Sequence, residues 1–150
     1  MSRVMKIGGK DLESPQQRQQ FTVCVVGCGR TSLVTACLFA DAGFKVVAVD
    51  SNSHIIHQLK KRKSPFTETD IRKFIEEHLK QADFRATTSL RTAVSESDII
   101  LIGVPDSLDK KRNPDYSRLE KTCKEVGMSI TSGSLVVFQT TTCPGITETV

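Results

Sequence analysis

Apolar residues along the chain come in two rhythms, short unbroken runs and helical repeats, and the two alternate. Phe21-Thr22-Val23-Cys24-Val25-Val26 is a run that meets Gly27-Cys28-Gly29. Leu33, Val34, Cys37, Leu38 and Phe39 then recur at helical spacing, and Gly43 closes that helix. A second run, Lys45-Val46-Val47-Ala48-Val49, ends on Asp50. Ser51 and Asn52 favour a helix start ahead of Ile55, Ile56 and Leu59, and Ser64-Pro65-Phe66 breaks that helix. Thr67-Glu68-Thr69-Asp70 caps another, with Ile71, Phe74, Ile75 and Leu79 on its inner face. Phe84-Arg85-Ala86-Thr87 reads as a short third strand, and residues 89–97 as a small helix. Asp98 opens Ile99-Ile100-Leu101-Ile102-Gly103-Val104, an unbroken run typical of a strand buried on both faces. Pro105 ends it, and a polar loop extends to Pro114. Asp115 caps a helix carrying Leu119, Cys123, Val126 and Ile130; Ser132-Gly133-Ser134 turns into a last strand, Leu135-Val136-Val137-Phe138. Gln139-Thr140-Thr141-Thr142 follows, and Pro144-Gly145 leads into one more helix.

Alternating strands and helices predict an α/β fold, a Rossmann-like doubly wound parallel sheet with right-handed crossovers and strand order 3-2-1-4-5. The order reverses between strands one and four, so a ligand crevice lies over their C-terminal ends. That places Gly27 to Arg30, Asp50, Val104 to Ser107 and Thr140 to Thr142 around one site. The first unit is strand, glycine turn, helix, strand and acid, the arrangement that binds a dinucleotide. Gly27 permits a tight turn. Gly29 lets backbone N–H groups approach a pyrophosphate, at which the next helix aims its positive end. Cys28, Arg30 and Thr31 belong to the same turn, with Arg30 read either as an exposed arginine or as a partner of the pyrophosphate. Asp50, about twenty residues after Gly29, is positioned to accept both hydroxyls of the adenosine ribose, and its charge disfavours a ribose phosphate, so the expected cofactor is NAD rather than NADP. Ser32 stands where the pattern prefers a third glycine, adding a hydroxyl at a tight contact. The competing reading, glycines that only shape a turn, is disfavoured by the spacing of the acid.

The rest of the composition narrows the class. At 150 residues, 38% hydrophobic and 25% charged, the chain suits one ordinary globular domain, expected over residues 21–150. Residues 1–20 are polar and read as a flexible leader outside the fold. There is no apolar run near the roughly 20 residues of a membrane span and no apolar signal-peptide centre. Five cysteines, an odd number without metal-ligand spacing, read as free thiols in a reducing cytoplasm, with Cys24 and Cys37 at core positions. The net charge of +4 gathers in Lys60-Lys61-Arg62-Lys63 and Lys110-Lys111-Arg112, read as solvated surface, with steering of an anionic ligand as the sharper alternative. No aromatics interleave with these runs, so no nucleic-acid partner is expected. His54 and His57 lie three apart on a helix but lack a third ligand, so no metal is expected. Cys143 has no histidine close in sequence and is not expected to act as a nucleophile.

From Thr22 to Thr147 the chain resembles the NAD-binding N-terminal domain of the UDP-glucose/GDP-mannose dehydrogenase family, whose enzymes oxidise a nucleotide sugar to its uronic acid in two steps. The resemblance is carried by Val23-Cys24-Val25-Val26-Gly27-Cys28-Gly29, by Leu38 to Asp50, by Lys63-Ser64-Pro65-Phe66, by Ser97 to Pro105, by Gly133 to Val137, and by Thr140-Thr141 with Pro144-Gly145. It implies that Gly27, Gly29 and Asp50 bind NAD, that Val104 and Pro105 line the nicotinamide side, that Thr141 helps order a catalytic water, and that Glu68 matches an acid near the sugar. Departures fall at Arg30, Ser32, Val34, Asp106-Ser107, Gln139 and Cys143. The family's nucleophilic cysteine lies in later domains, which would share the nucleotide-sugar substrate and pair subunits. The chain reaches Val150 inside an expected helix with no helix stop, so it reads as a fragment of a longer enzyme, inactive alone. The alternative is a non-catalytic NAD-sensing module or a degenerate pseudoenzyme.

Overall fold

The computed structural model describes residues 7–80, 83–105 and 107–149. Residues 1–6 of the expected leader, Asp106 of the expected crevice wall and Val150 lie outside them. In chain order the elements are a 3₁₀ turn (Gly9–Leu12), α1 (Pro15–Arg18), β1 (Thr22–Val26), α2 (Arg30–Asp41), β2 (Lys45–Val49), α3 (Ser53–Lys60), α4 (Thr69–His78), β3 (Phe84–Thr87), α5 (Leu90–Ser95), β4 (Ile99–Ile102), β5 (Ser107–Leu108), β6 (Pro114–Asp115), α6 (Ser117–Ser129), β7 (Leu135–Phe138) and α7 (Ile146–Thr149).

Five strands form one parallel sheet in the order β3-β2-β1-β4-β7. This is the expected 3-2-1-4-5 arrangement. Its fifth member is β7 because the polar loop after Pro105, expected to be irregular, folds into a hairpin of its own, β5 against β6, with Ser107 opposite Asp115. Two-residue strands leave no periodicity in a sequence. Side chains alternate between the two faces, as the pleat requires. Val23 and Val25 of β1 join Leu33, Ala36, Ile56, Ile75 and Leu79 beneath α2, α3 and α4. Cys24 and Val26 join Ala93, Val94, Leu119 and Val126 beneath α5 and α6. The unbroken apolar runs follow from this burial on both faces.

Two expectations change. Leu38 stands 53% exposed, and the inner face of α2 consists of Leu33 with the small residues Ser32, Ala36, Cys37 and Ala40, which bring the helix close to the sheet. Residues 7–20 do not lie outside the fold. Ser14 caps α1, the Arg18 guanidinium donates to the carbonyls of Ala42 (2.6 Å) and Leu12 (2.9 Å), and Ile7 and Leu12 pack against the core. A polar composition hid an anchor made by one arginine and two apolar side chains.

Candidate functional site

The site is built by the ends of β1, β2 and β4. The chain leaves β1 at Gly27, whose φ of +93° is left-handed and whose N–H donates to the Val49 carbonyl at 2.8 Å. A Cβ at Gly27 would lie 2.8 Å from the Gly103 carbonyl oxygen, so the fold itself requires this glycine. Gly29 differs. Its φ of −68° suits any residue, and a Cβ there would meet nothing within 4 Å. Packing does not demand this glycine; it leaves open a space that a side chain would fill. Gly29 is also the N-cap of the twelve-residue α2, with no side-chain cap and no acid in the first turn. The first N–H groups of α2 therefore lack a side-chain acceptor and sit at the positive end of the helix. In contrast, α3 is capped by the Asn52 side chain, which accepts from the His54 N–H at 3.0 Å.

Asp50 closes the turn from the other side. Its Oδ2 accepts the Cys28 N–H and its Oδ1 the Asn52 N–H, both at 2.8 Å. These two bonds hold the carboxylate at the mouth of the crevice and leave acceptor capacity on both oxygens. Cys28 is buried, and burial first, then the Asp50 and Cys24 charges, push its thiol far above the usual thiol range, so it contributes backbone rather than a nucleophile. Burial likewise pushes Cys24 up to about 12 and, with Asp41, Cys37 up to about 11. The hydroxyl of Ser32 has found a place: it is buried and donates to the Gly103 carbonyl at 3.3 Å, in space that exists because residue 103 has no side chain.

The glycine turn, Asp50 and the segment after β4 line a cleft of about 730 Å³. Gly27, Cys28, Gly29, Asp50, Val104 and Pro105 are all in its wall. Arg30 begins α2 beside them, pairs with Glu68, and stacks its guanidinium 5.8 Å from the Phe66 ring centre. Thr31 is exposed in the first turn of α2, its carbonyl taking the Thr35 hydroxyl at 2.9 Å. Thr141 is exposed and outside the cleft wall. Of the three threonines, Thr140 has a visible structural role. Its hydroxyl donates to the Val104 carbonyl at 2.9 Å and so ties the segment after β7 to the segment after β4. Ser107 sits in the hairpin, its hydroxyl on the Asp115 carbonyl. Cys143 is exposed, its N–H on the Tyr116 hydroxyl at 3.4 Å. His54 contacts the Gln58 side chain, and among the described residues no three His, Cys, Asp or Glu side chains gather as a metal site.

Sequence reasoning missed one wall. Arg118, Lys121, Thr122 and Glu125 of α6, with Leu90 of α5, face the same cleft. The four polar residues recur at helical spacing, but a polar stripe of that kind looks identical to a solvated face. Phe66 was legible as part of a helix break and of the family resemblance but not as a cleft residue, yet it lines the cleft from the α3–α4 connection.

A parallel sheet with a reversal in strand order, a spare glycine heading an uncapped helix and a carboxylate at the end of the next strand define a dinucleotide-binding domain. Residues 21–150 match the NAD binding domain of the UDP-glucose/GDP-mannose dehydrogenase family, and the chain belongs to that family. It is similar to an NDP-N-acetyl-D-galactosaminuronic acid dehydrogenase of Ralstonia nicotianae, 31% identical over 85% of this chain and 29% of that protein. It is also similar to Protein CapL of Staphylococcus aureus, 32% identical over 84% and 28%. Among solved structures, a UDP-glucose dehydrogenase from Pyrobaculum islandicum superimposes with a TM-score of 0.78 at 27% identity, covering 85% of this chain and 30% of that one. The GDP-mannose dehydrogenase of Pseudomonas aeruginosa, solved as a ternary complex, gives 0.77 at 27%, with the same coverage. The chain thus spans under a third of the length of these relatives. Among the described residues, no helix is long and apolar enough to cross a membrane.

Proposed function

We propose that this domain holds NAD for the oxidation of a nucleotide sugar, a UDP- or GDP-linked one, to its uronic acid. The observation that carries the reading is the pair formed by Gly29 and Asp50: a glycine the fold does not need, open to the cleft, and a carboxylate fixed opposite it by two backbone amides. The amides at the head of α2 take the pyrophosphate, Asp50 takes the hydroxyls of the adenosine ribose, and Ile55 and Leu90 give the adenine an apolar bed. Val104 and Pro105 line the nicotinamide side. Bound there, NAD supplies the hydride acceptor for the sugar C6. Thr141 orders a water and Glu68 lies toward the sugar in this reading, which the family match supports without locating either beside substrate. The nucleophilic cysteine and the remaining sugar contacts come from parts of the protein beyond these residues, so the domain alone turns over no nucleotide sugar. Free, buried thiols fit a reducing cytoplasm.

Calorimetric titration tests the assignment. NAD should bind more tightly than NADP, because Asp50 repels a ribose phosphate; equal or better affinity for NADP rejects it. Gly29→Val should abolish NAD binding by filling the pyrophosphate space.

A further inference from the structure

We propose that Glu68 is a positioning residue that competes with the pyrophosphate of the dinucleotide for Arg30; the inference rests on the NAD reading above and concerns this chain's own departure from the glycine-turn pattern. Arg30 is the first residue of α2, immediately after bare Gly29. A cation at the positive end of a helix is unfavourably placed. The first turn of α2 contains no acid to offset it. The anion comes instead from Glu68, at the head of α4, whose carboxylate pairs with the Arg30 guanidinium. Phe66, two residues earlier and in the cleft wall, lies against the same guanidinium. The α3–α4 connection is thereby fastened to the glycine turn through one side chain.

The fastening is weak. The two side chains of the pair are 61% and 43% exposed, so water and salt screen their attraction. A pyrophosphate seated on the amides beside Gly29 brings more charge to the same guanidinium, and the planar fork of arginine matches phosphate oxygens in pairs. Arg30 therefore exchanges Glu68 for the pyrophosphate on binding, while Phe66 remains as the surface along which the guanidinium turns. Glu68 reduces affinity for ligands that carry the phosphates and leaves affinity for the nucleoside portion unchanged.

The test is titration of the whole chain with NAD and with adenosine, for the wild type, Glu68→Gln, Arg30→Gln and the double variant, each checked for its far-ultraviolet circular dichroism. Glu68 is exposed and makes no side-chain cap on α4, so Glu68→Gln leaves the fold intact. Glu68→Gln should tighten NAD about threefold and Arg30→Gln should weaken it by about the same factor or more. Adenosine should bind all four alike, and Glu68→Gln should have no effect once Arg30 is glutamine. An unchanged or weaker NAD affinity in Glu68→Gln overturns the inference, as does the same tightening in the Arg30→Gln background, which would mark a general charge effect. Failure of the folded wild type to bind NAD overturns this inference and the cofactor reading together; NAD binding with a silent Glu68→Gln overturns this inference alone.

Discussion

The two halves of the cleft are built differently. Around β1, α2 and β2 the strands are buried from their second residue onward, and Asp50 ties the turn to its neighbour through two backbone hydrogen bonds. Around β4 and β7 the support thins. All of β4 is buried, but Leu135 and Val137 on the outer strand remain 37% and 36% exposed, and Thr141 and Cys143 beyond it are exposed. In the proposed reading the first half receives the adenosine and phosphates, and its backbone geometry is set by packing. The second offers Val104 and Pro105 as a wall, with Val104 buried in the core and its carbonyl tied to the segment after β7 by the Thr140 hydroxyl. Core burial keeps the shape of the first half throughout; the second joins a buried β4 to a half-exposed β7.

The two glycines of the turn give the largest test of this contrast. Gly27→Ala puts a Cβ against the Gly103 carbonyl in a left-handed backbone and should cost about 4 kcal/mol, read as a lowered urea midpoint. The same substitution at Gly29 meets empty space at an ordinary φ and should stay within about 1 kcal/mol while NAD binding falls sharply. Equal stability losses at both positions would erase the distinction between a glycine kept for the fold and one kept for the ligand.

A smaller effect separates the strands. Leu101 of β4 lies on the same face of the sheet as Leu135 of β7, which pairs with Ile99; the two leucines are 5% and 37% exposed. Leu101→Ala should cost about 3 kcal/mol through lost burial and a residual cavity. Leu135→Ala should cost about 1 kcal/mol or less, because part of its surface is already in water. Comparable losses in urea unfolding would show β7 to be as firmly packed as the centre of the sheet.

This division also explains what could be read from residues alone. The sheet order and the Gly27–Gly29–Asp50 constellation were legible because buried parallel strands need unbroken apolar runs, and because a phosphate-binding turn needs glycines at fixed spacing before a helix. The separate roles of Gly27 and Gly29 follow from the same pattern, but the contact that makes Gly27 obligatory does not, since it depends on which carbonyl approaches across strands. The α6 wall, the β5–β6 hairpin and the docking of residues 7–20 were hidden for related reasons. The hairpin strands are too short to show a period, a polar stripe on α6 looks like a solvated face, and Arg18 finds its Ala42 partner far along the chain, where no periodic mark points.

The smallest effect concerns Ser32, the hydroxyl at the helix–strand contact. It binds Gly103 by one long hydrogen bond, and Ser32→Ala removes that oxygen and leaves only the Cβ as a methyl group. The loss should be about 1 kcal/mol, since a single long neutral hydrogen bond and one buried oxygen's worth of packing are removed. The informative measurement is the pair. A Cβ on residue 103 would overlap the Ser32 oxygen, whereas its next contact, the Ser32 Cβ at 3.2 Å, is merely tight. Gly103→Ala should therefore cost more in the wild type, where the Ser32 hydroxyl must turn away from its hydrogen bond, than in the Ser32→Ala background, a coupling visible in a four-protein urea series. Additive losses would mean that Gly103 is constrained by its own backbone rather than by the serine, and that the serine's accommodation at the crossover owes nothing to its neighbour.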